Sequence, residues 1–343
     1  MFRTLWLLLP LCLLAACSDG RRPEVPQLAL DGRTMGTSLS VRIAAPPEGL
    51  DVAALQSALE ARLVAVNALM STYEPDSQLS RFNAAPPDVW FAVDAELLEV
   101  VRAARELSEA TEGAFDVTVG PLVNLWGFGP GATVPAGEVP ADVEIAAALA
   151  RTGFERLELR DEPPALRKSG RLVVDLSAIA KGYGVDVLAE LVEEAGAERW
   201  LVEIGGELRA QGLNARGLPW QVGIEVPDAA QRGLAREAIG LSSGAVATSG
   251  DYRNFFTVDG VRYSHTIDPA TGRPVTHDVA SVTVLHPSAV WADGWATALN
   301  VLGAERGLRI AEARGLPVSF IRYGDDGLLE VASPAFADYR SAP

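Results

Sequence analysis

The chain has 343 residues, of which 48% are hydrophobic and 22% charged, and its formal net charge is −16. That composition suits one large globular domain or two ordinary ones with a sizeable core, and the negative charge opposes binding to nucleic acid or to an anionic membrane surface. Its two cysteines, Cys12 and Cys17, leave no disulfide and no thiol metal centre once a leader containing Cys12 is removed.

At the N-terminus Arg3 precedes an apolar run and then small residues before Cys17, the order of a secretory leader and too short for an ordinary membrane span. Leu14-Ala15-Ala16-Cys17 resembles the bacterial lipobox. The expectation is a signal peptide over 1–16, a lipid on the sulfur of Cys17 and a tether over 17–27. That would hold the protein on the bacterial cell envelope, facing the periplasm. A plain signal peptide with a chance cysteine is the alternative.

Residues 28–30 and 37–43 read as strands joined through a corner in which Gly32 and Gly36 bracket Met35. Residues 51–70 then carry Val52, Leu55, Leu59, Leu63, Val66 and Met70 on one stripe, which predicts an amphipathic helix. The polar stretch after it offers Tyr73, Ser80 and Arg81 either to a pocket or to solvent. Asp94 is placed to cap a second helix that runs through Leu97, Leu98, Val101 and Leu107 to about Gly113. Gly113, Gly120, Gly127, Gly129 and Gly131 fragment the next stretch of chain, so residues 114–116 are expected on a shaped loop or short strand. Phe115 and Trp126 could stack on a planar ring or fill core. Residues 142–150 read as helix, and Pro163-Pro164 as loop.

Residues 171–176 are β-rich, whereas Val187, Leu188, Leu191, Val192 and Ala195 recur at helical spacing. The chain is therefore expected to turn from strand to helix within DLSAIAKGYGVD, residues 175–186. Lys181 falls in the first turn of that helix, against the positive end of its dipole, and a bound anion would remove the conflict. Asp175 offers a carboxylate beside the same opening, and Gly182 and Gly184 would let another surface approach. A lysine snorkelling to solvent, with glycines that ease helix packing, fits the same residues.

Beyond this helix, 200–204, 208–211 and 220–226 read as strands, the first two separated by Gly205-Gly206. Asp259-Gly260 between β-rich flanks signals a tight hairpin, with His265 and Ile267 near its exit and Asp268-Pro269 opening a turn. After a strand over 279–285, a helix is predicted from about Ala292 to Leu302 with Gly303 as its cap. Asp293 and Thr297 share one face of it, which suits a hard cation such as Mg²⁺ or merely a helix cap with a back-bonded threonine. A hairpin at Asp325-Asp326-Gly327 closes the chain. The resulting fold class is α+β: mixed, mostly antiparallel sheets with packed helices, and a ligand cleft between two subregions.

Five ordered blocks, RTMGT, MSTYEPDSQLSRFN, GAFDVTVGPL, DLSAIAKGYGVD, and SHTIDPATGRP with ADGWAT, resemble the ApbE family of FAD:protein FMN transferases across residues 28–335. The resemblance implies a single T-fold-related flavin transferase domain that moves FMN from FAD to a threonine of another protein through a phosphoester, with Mg²⁺ as cofactor and AMP released. It implies FAD contacts from Met35, Tyr73, Ala114, Phe115, Asp116, Asp175, Lys181 and Ile267. It also implies a Mg²⁺ site made by the Ala178 carbonyl, Asp293 and Thr297. Ala296 is a departure, since some members carry a second aspartate there. His265 is the expected general base, because histidine titrates near neutrality, with Asp268 and Asp175 as alternatives. The acceptor would be a membrane or periplasmic redox subunit. The same site with water as nucleophile would make an FAD pyrophosphatase, and without chemistry a lipid-anchored flavin-binding protein.

Overall fold

The computed structural model describes residues 24–132, 137–227, 234–251, 254–325 and 327–340. The signal peptide over 1–16, Cys17 and the tether up to residue 23 lie outside the described residues, as does Asp326 of the final hairpin.

Eight strands form the main sheet in the order in which the chain meets them: Gln27–Thr34, Thr37–Ala44, Trp200–Ile204, Glu207–Gln211, Ser243–Gly250, Val279–His286, Val318–Gly324 and Gly327–Ala332. Every neighbouring pair is antiparallel, so the sheet is a meander, and the other elements are insertions between its strands apart from the 3-10 helix Pro334–Tyr339 that follows the last. Among the described residues, parallel pairing is confined to one bridge, between Val119 and Val173.

Side chains alternate between the two faces of a strand, and both faces of this sheet are covered. Along Ser243–Gly250, Ala245 and Ala247 join the core beneath the helices, whereas Val246 joins the core on the opposite face. Two helices lie on the first face, Ala180–Glu194 (the lysine helix) and Ala289–Arg314 (the aspartate helix). The second face is covered by the hairpin of Trp220–Glu225 and Ala235–Leu241 and by Phe336.

Several predicted elements form for the reasons read from the sequence. Asp51 caps the helix Val52–Met70, its Oδ1 accepting from Ala54 N at 3.0 Å, and that helix buries Leu55, Leu59, Leu63, Val66 and Met70. Asp94 likewise caps Ala95–Ala110 through Glu96 N at 3.0 Å. Asp259 and Gly260, with φ of 49° and 80°, make the tight turn between Phe255–Val258 and Val261–Ser264.

Three readings are corrected. Residues 171–176 form no sheet strand: Val173 makes an isolated parallel bridge to Val119, Asp175 N donates to Val117 O at 2.7 Å, and the Asn83 side-chain amide accepts from Val174 N and donates to Val174 O, each at 2.8 Å. Two short helices, Gln78–Ala84 and Gly120–Leu125, occupy stretches read as polar loop and glycine-broken chain. The aspartate helix begins at Ala289 and continues to Arg314, where Gly315 caps it at φ 64°. Gly303, at φ 73°, breaks the helical run as predicted, but the chain resumes helix because Gly307 and Ala311 pack on the sheet, Gly307 against the Phe320 ring.

Candidate active site

The lysine and aspartate helices touch at Gly182. A Cβ at that position would lie 2.2 Å from the carbonyl oxygen of Ala289 and 2.8 Å from Asp293 Cβ, so only glycine allows the contact. The close approach lets Asp293 Oδ2 accept from Gly182 N at 2.9 Å, across 111 residues of sequence. A helix N-terminus with no side-chain cap of its own thus obtains a carboxylate from another helix. Asp186, further along the lysine helix, reciprocates by accepting from Ala289 N at 3.0 Å, Val290 N at 2.9 Å and Ser288 Oγ at 2.7 Å. Gly184 has a different task, since its open side receives Ile204 and the end of Met35.

Lys181 and Asp293, beside this crossing, line a cleft of about 650 Å³, a size typical of small-molecule and cofactor sites. Tyr73, Ala114, Phe115, Asp116, Asp175, Ala178, Lys181, His265, Ile267, Asp293 and Thr297 all line it. They come from loops and helices spread over more than two hundred residues, and the fold brings them together. Tyr73 stands at the rim with 66% of its surface exposed; partial burial of the hydroxyl, and then the charge of Asp175, raise its pKa. Phe115 and Ile267 are buried at 2% and 6% exposure and give the cleft its apolar wall.

The carboxylates of the lining serve partly as scaffolding. Asp116 Oδ1 accepts from Thr118 N and Oγ1, both at 2.7 Å, and its Oδ2 from Phe154 N at 3.1 Å, which fixes the loop bearing Ala114 and Phe115. Burial nevertheless raises its pKa above the ordinary carboxylate value. Asp175 Oδ1 accepts from Ser177 N at 2.9 Å and Ser177 Oγ at 2.6 Å, turning the chain into the lysine helix.

Lys181 is ion-paired to one buried carboxylate and feels the charge of a second. Its Nζ is 2.5 Å from Oε2 of Glu207, a residue only 3% exposed, and the charge of Asp293 acts on it as well. The lysine at the helix start is therefore countered by a carboxylate from within the protein, a partner the sequence did not reveal. Burial pushes Glu207 up to about 7, with Lys181 opposing and Asp293 adding to the rise. Burial raises Asp293 as well, against Lys181 and the Gly182 N–H. Two buried carboxylates near one ammonium, which pairs with Glu207, leave an excess of negative charge, the electrostatic setting a cation would relieve.

The residues present fit a hard divalent cation. Asp293, the Thr297 hydroxyl and the backbone of Ala178 border the same cleft and can offer only oxygen, the donor preferred by Mg²⁺, which needs few protein ligands. Among the described residues there is no group of three or more His, Cys, Asp or Glu side chains that could hold a metal by themselves. Thr297 Oγ1 is 3.1 Å from Ser249 Oγ, and Ala296 is fully buried in the apolar core.

His265 also lines the cleft, with its Nδ1 3.1 Å from Asn254 O and its imidazole in a T-shaped contact with the Phe128 ring. If Nδ1–H donates to that carbonyl, Nε2 keeps a lone pair. Burial, and to a lesser extent Lys181, lower the pKa of His265 and favour the neutral ring, while the Asn254 carbonyl opposes them. The hairpin leading to His265 is fixed by ring stacking: Phe256 on Tyr263 and Phe128, and Tyr263 on Trp126.

Some predicted residues fall elsewhere. Met35 packs against Gly184 and Asp268 is absorbed in a turn, its Oδ1 accepting from Ala270 N at 2.9 Å and its Oδ2 from Thr271 Oγ1 at 3.1 Å; neither lines the cleft. Ser80 Oγ donates to Ser71 O, Arg81 is exposed, and neither borders the cleft. Trp126 is core, its Nε1 donating to Gly272 O at 2.9 Å. Glu207, Ser249, Asn254 and Phe128 are lining residues that sequence reasoning missed. For Glu207 a signal existed: a carboxylate directly after Gly205-Gly206, at the start of a strand.

A profile of the ApbE family matches residues 35–320. The FAD:protein FMN transferase of Vibrio cholerae serotype O1 is 49% identical over 339 residues, covering 98% of this chain and 99% of that protein. The protein of the same name from Haemophilus influenzae is 42% identical, covering 94% and 93%. Among solved structures, the flavin transferase ApbE from Vibrio cholerae is 49% identical with a TM-score of 0.84, over 92% of this chain and 99% of that one. The apo flavinyl transferase ApbE of Pseudomonas stutzeri has a TM-score of 0.85 at 38% identity, over 93% and 98%. Sequence and fold agree along almost the whole described length, and the chain belongs to the ApbE family.

Proposed function

We propose that this protein transfers FMN from FAD to a threonine hydroxyl of an acceptor protein, in a Mg²⁺-dependent reaction that releases AMP. The observation that carries this reading is the convergence of Lys181 and Asp293 at one helix crossing, where both line the cleft. A lysine and a carboxylate-hydroxyl-carbonyl set side by side suit a diphosphate and its counter-cation. The names of the relatives point to the same donor and to a protein acceptor.

In this reading Lys181 binds the diphosphate of FAD, while Tyr73, Phe115 and Ile267 hold ring and apolar surface. Asp116 and Asp175 keep the walls in shape through their loop hydrogen bonds. Asp293, Thr297 and the Ala178 carbonyl would hold Mg²⁺, which when bound supplies charge neutralisation at the diphosphate. His265 Nε2 accepts the threonine proton as that oxygen bonds to the FMN-side phosphorus and the bond to the AMP phosphate breaks. Asp268 is unsuited to this role because its carboxylate oxygens are bonded within a turn. Met35 supports the lysine helix from behind, against Gly184. The lipobox-like N-terminus would put this chemistry on a lipid anchor at the periplasmic face of the envelope, and the acceptor would be a membrane or periplasmic redox subunit.

The test combines protein, FAD, Mg²⁺ and an acceptor carrying a target threonine, and reads covalent flavin by in-gel fluorescence alongside AMP. Both should appear together and only with acceptor; AMP and free FMN without acceptor would instead make the protein a pyrophosphatase. Asp293→Ala should remain folded, bind flavin and lose Mg²⁺-dependent turnover, whereas full activity without added metal would remove the cation from the mechanism.

A further inference from the structure

Glu207 is a charged group of the cleft to which the proposed reaction gives no role. Its place is set by backbone design: Gly205 and Gly206, at φ 64° and 110°, close a two-residue turn that pairs Ile204 with Glu207. A side chain at Gly205 would meet Thr37 Cγ2 at 2.7 Å, so the turn is packed as well as tight. The turn aims a side chain that is 4% exposed into the cleft, where its Oε2 stands 2.5 Å from Lys181 Nζ.

Asp293, whose charge Lys181 also meets, is itself 3% exposed and accepts from the N–H of the residue after Lys181, Gly182, at 2.9 Å. The Lys181 side chain is long, flexible and only partly exposed, and an ammonium in such a setting pairs with a carboxylate within its reach. Lys181 paired to Asp293 would occupy the carboxylate that the proposed cation needs. The geometry points to Glu207 as a positioning residue that holds the Lys181 ammonium away from Asp293, keeping Asp293 open to a divalent cation and Lys181 aimed at the diphosphate. This inference rests on the cation site of the proposed function. It assigns Glu207 no contact with the ion, and its action runs through Lys181.

Binding of Mn²⁺ alone, followed by its electron paramagnetic resonance signal in the absence of FAD, separates the cases without any turnover. The set is wild type, Glu207→Gln, Lys181→Met and the double variant. Glu207→Gln should weaken Mn²⁺ affinity about tenfold or more, in the range seen when partners of metal ligands are removed. In the Lys181→Met background the same change should cost less than about twofold, because no ammonium is left to restrain. An equal loss in both backgrounds would mean that Glu207 acts on the ion directly, and no loss in either would mean that it does not act on the site; each result overturns the inference while leaving the cation site standing. Absence of Mn²⁺ binding to the wild type would overturn the cation site and this inference together. Should Glu207→Gln fail to fold, Glu207→Asp, which withdraws the carboxylate by one methylene, enters the same comparison with the same expected pattern.

Discussion

The helix crossing at Gly182 can be tested against its neighbour Gly184, two residues along the same helix. Replacing either glycine by alanine should gain about 1 kcal/mol of helix propensity, so any difference between them reports packing. At Gly184 the new methyl would lie 3.1 Å from Ile204 Cδ1 and 3.3 Å from Met35 Cε, the movable ends of side chains. That variant should stay within about 1 kcal/mol of wild type, because a few tenths of an ångström of side-chain shift relieves the contact. At Gly182 the methyl would meet backbone, 2.2 Å from Ala289 O and 2.6 Å from its carbonyl carbon, and the two helices must separate. Overpacking costs about 1–3 kcal/mol, and loss of the charge-assisted bond to Asp293 roughly 1.5–3 more. After the propensity gain the net destabilisation is about 2–5 kcal/mol. At roughly 2 °C per kcal/mol for a chain of this size, the melting temperature should fall by about 4–10 °C. Differential scanning fluorimetry of both variants reads this directly. Flavin transfer by Gly182→Ala should fall on the order of a hundredfold, since a displaced Asp293 misplaces the reacting groups. A Gly182→Ala protein that melts and turns over like wild type, or a Gly184→Ala protein that suffers equally, would refute the reasoning.

Further outcomes rest on the same geometry. Glu207 has a folded-state pKa of about 7 against an ordinary 4.5, so between these values the native state holds more protons than the unfolded one. Its contribution to stability is complete below about pH 4.5 and is lost as pH rises to about 7, a change on the order of 3 kcal/mol. Urea melts of wild type and Glu207→Gln across pH 4.5–8 should show a shallower fall in the variant, and parallel curves would contradict the assignment. His265→Ala should slow transfer about 10²–10⁴-fold while FAD affinity changes by no more than about threefold, and a rate near wild type would move the base elsewhere. Because burial lowers the pKa of His265, the wild-type rate should vary little between pH 7 and 8, as stopped-time flavinylation assays can establish. Asn83→Ala removes both hydrogen bonds to Val174 and should cost about 2–4 kcal/mol in chemical denaturation, with the loss of order concentrated at residues 171–176 in hydrogen exchange.

What the sequence determined by itself was local. Asp51 and Asp94 cap their helices, Asp259-Gly260 turns its hairpin and the stripe from Leu55 to Met70 becomes buried, because each feature depends on neighbours within a few residues. The ordered blocks also carried the family, since together they constrain a whole cleft. The tertiary structure alone decided the rest. An amide from Asn83 stands where a strand partner was expected for Val174, and Gly182 admits a helix rather than a ligand. Glu207 meets Lys181 only because two glycines turn one strand back beneath a helix that begins elsewhere in the fold. Contacts between residues 26 or 111 positions apart leave no periodicity to read, and the charge each group carries depends on burial that exists only after the chain has packed.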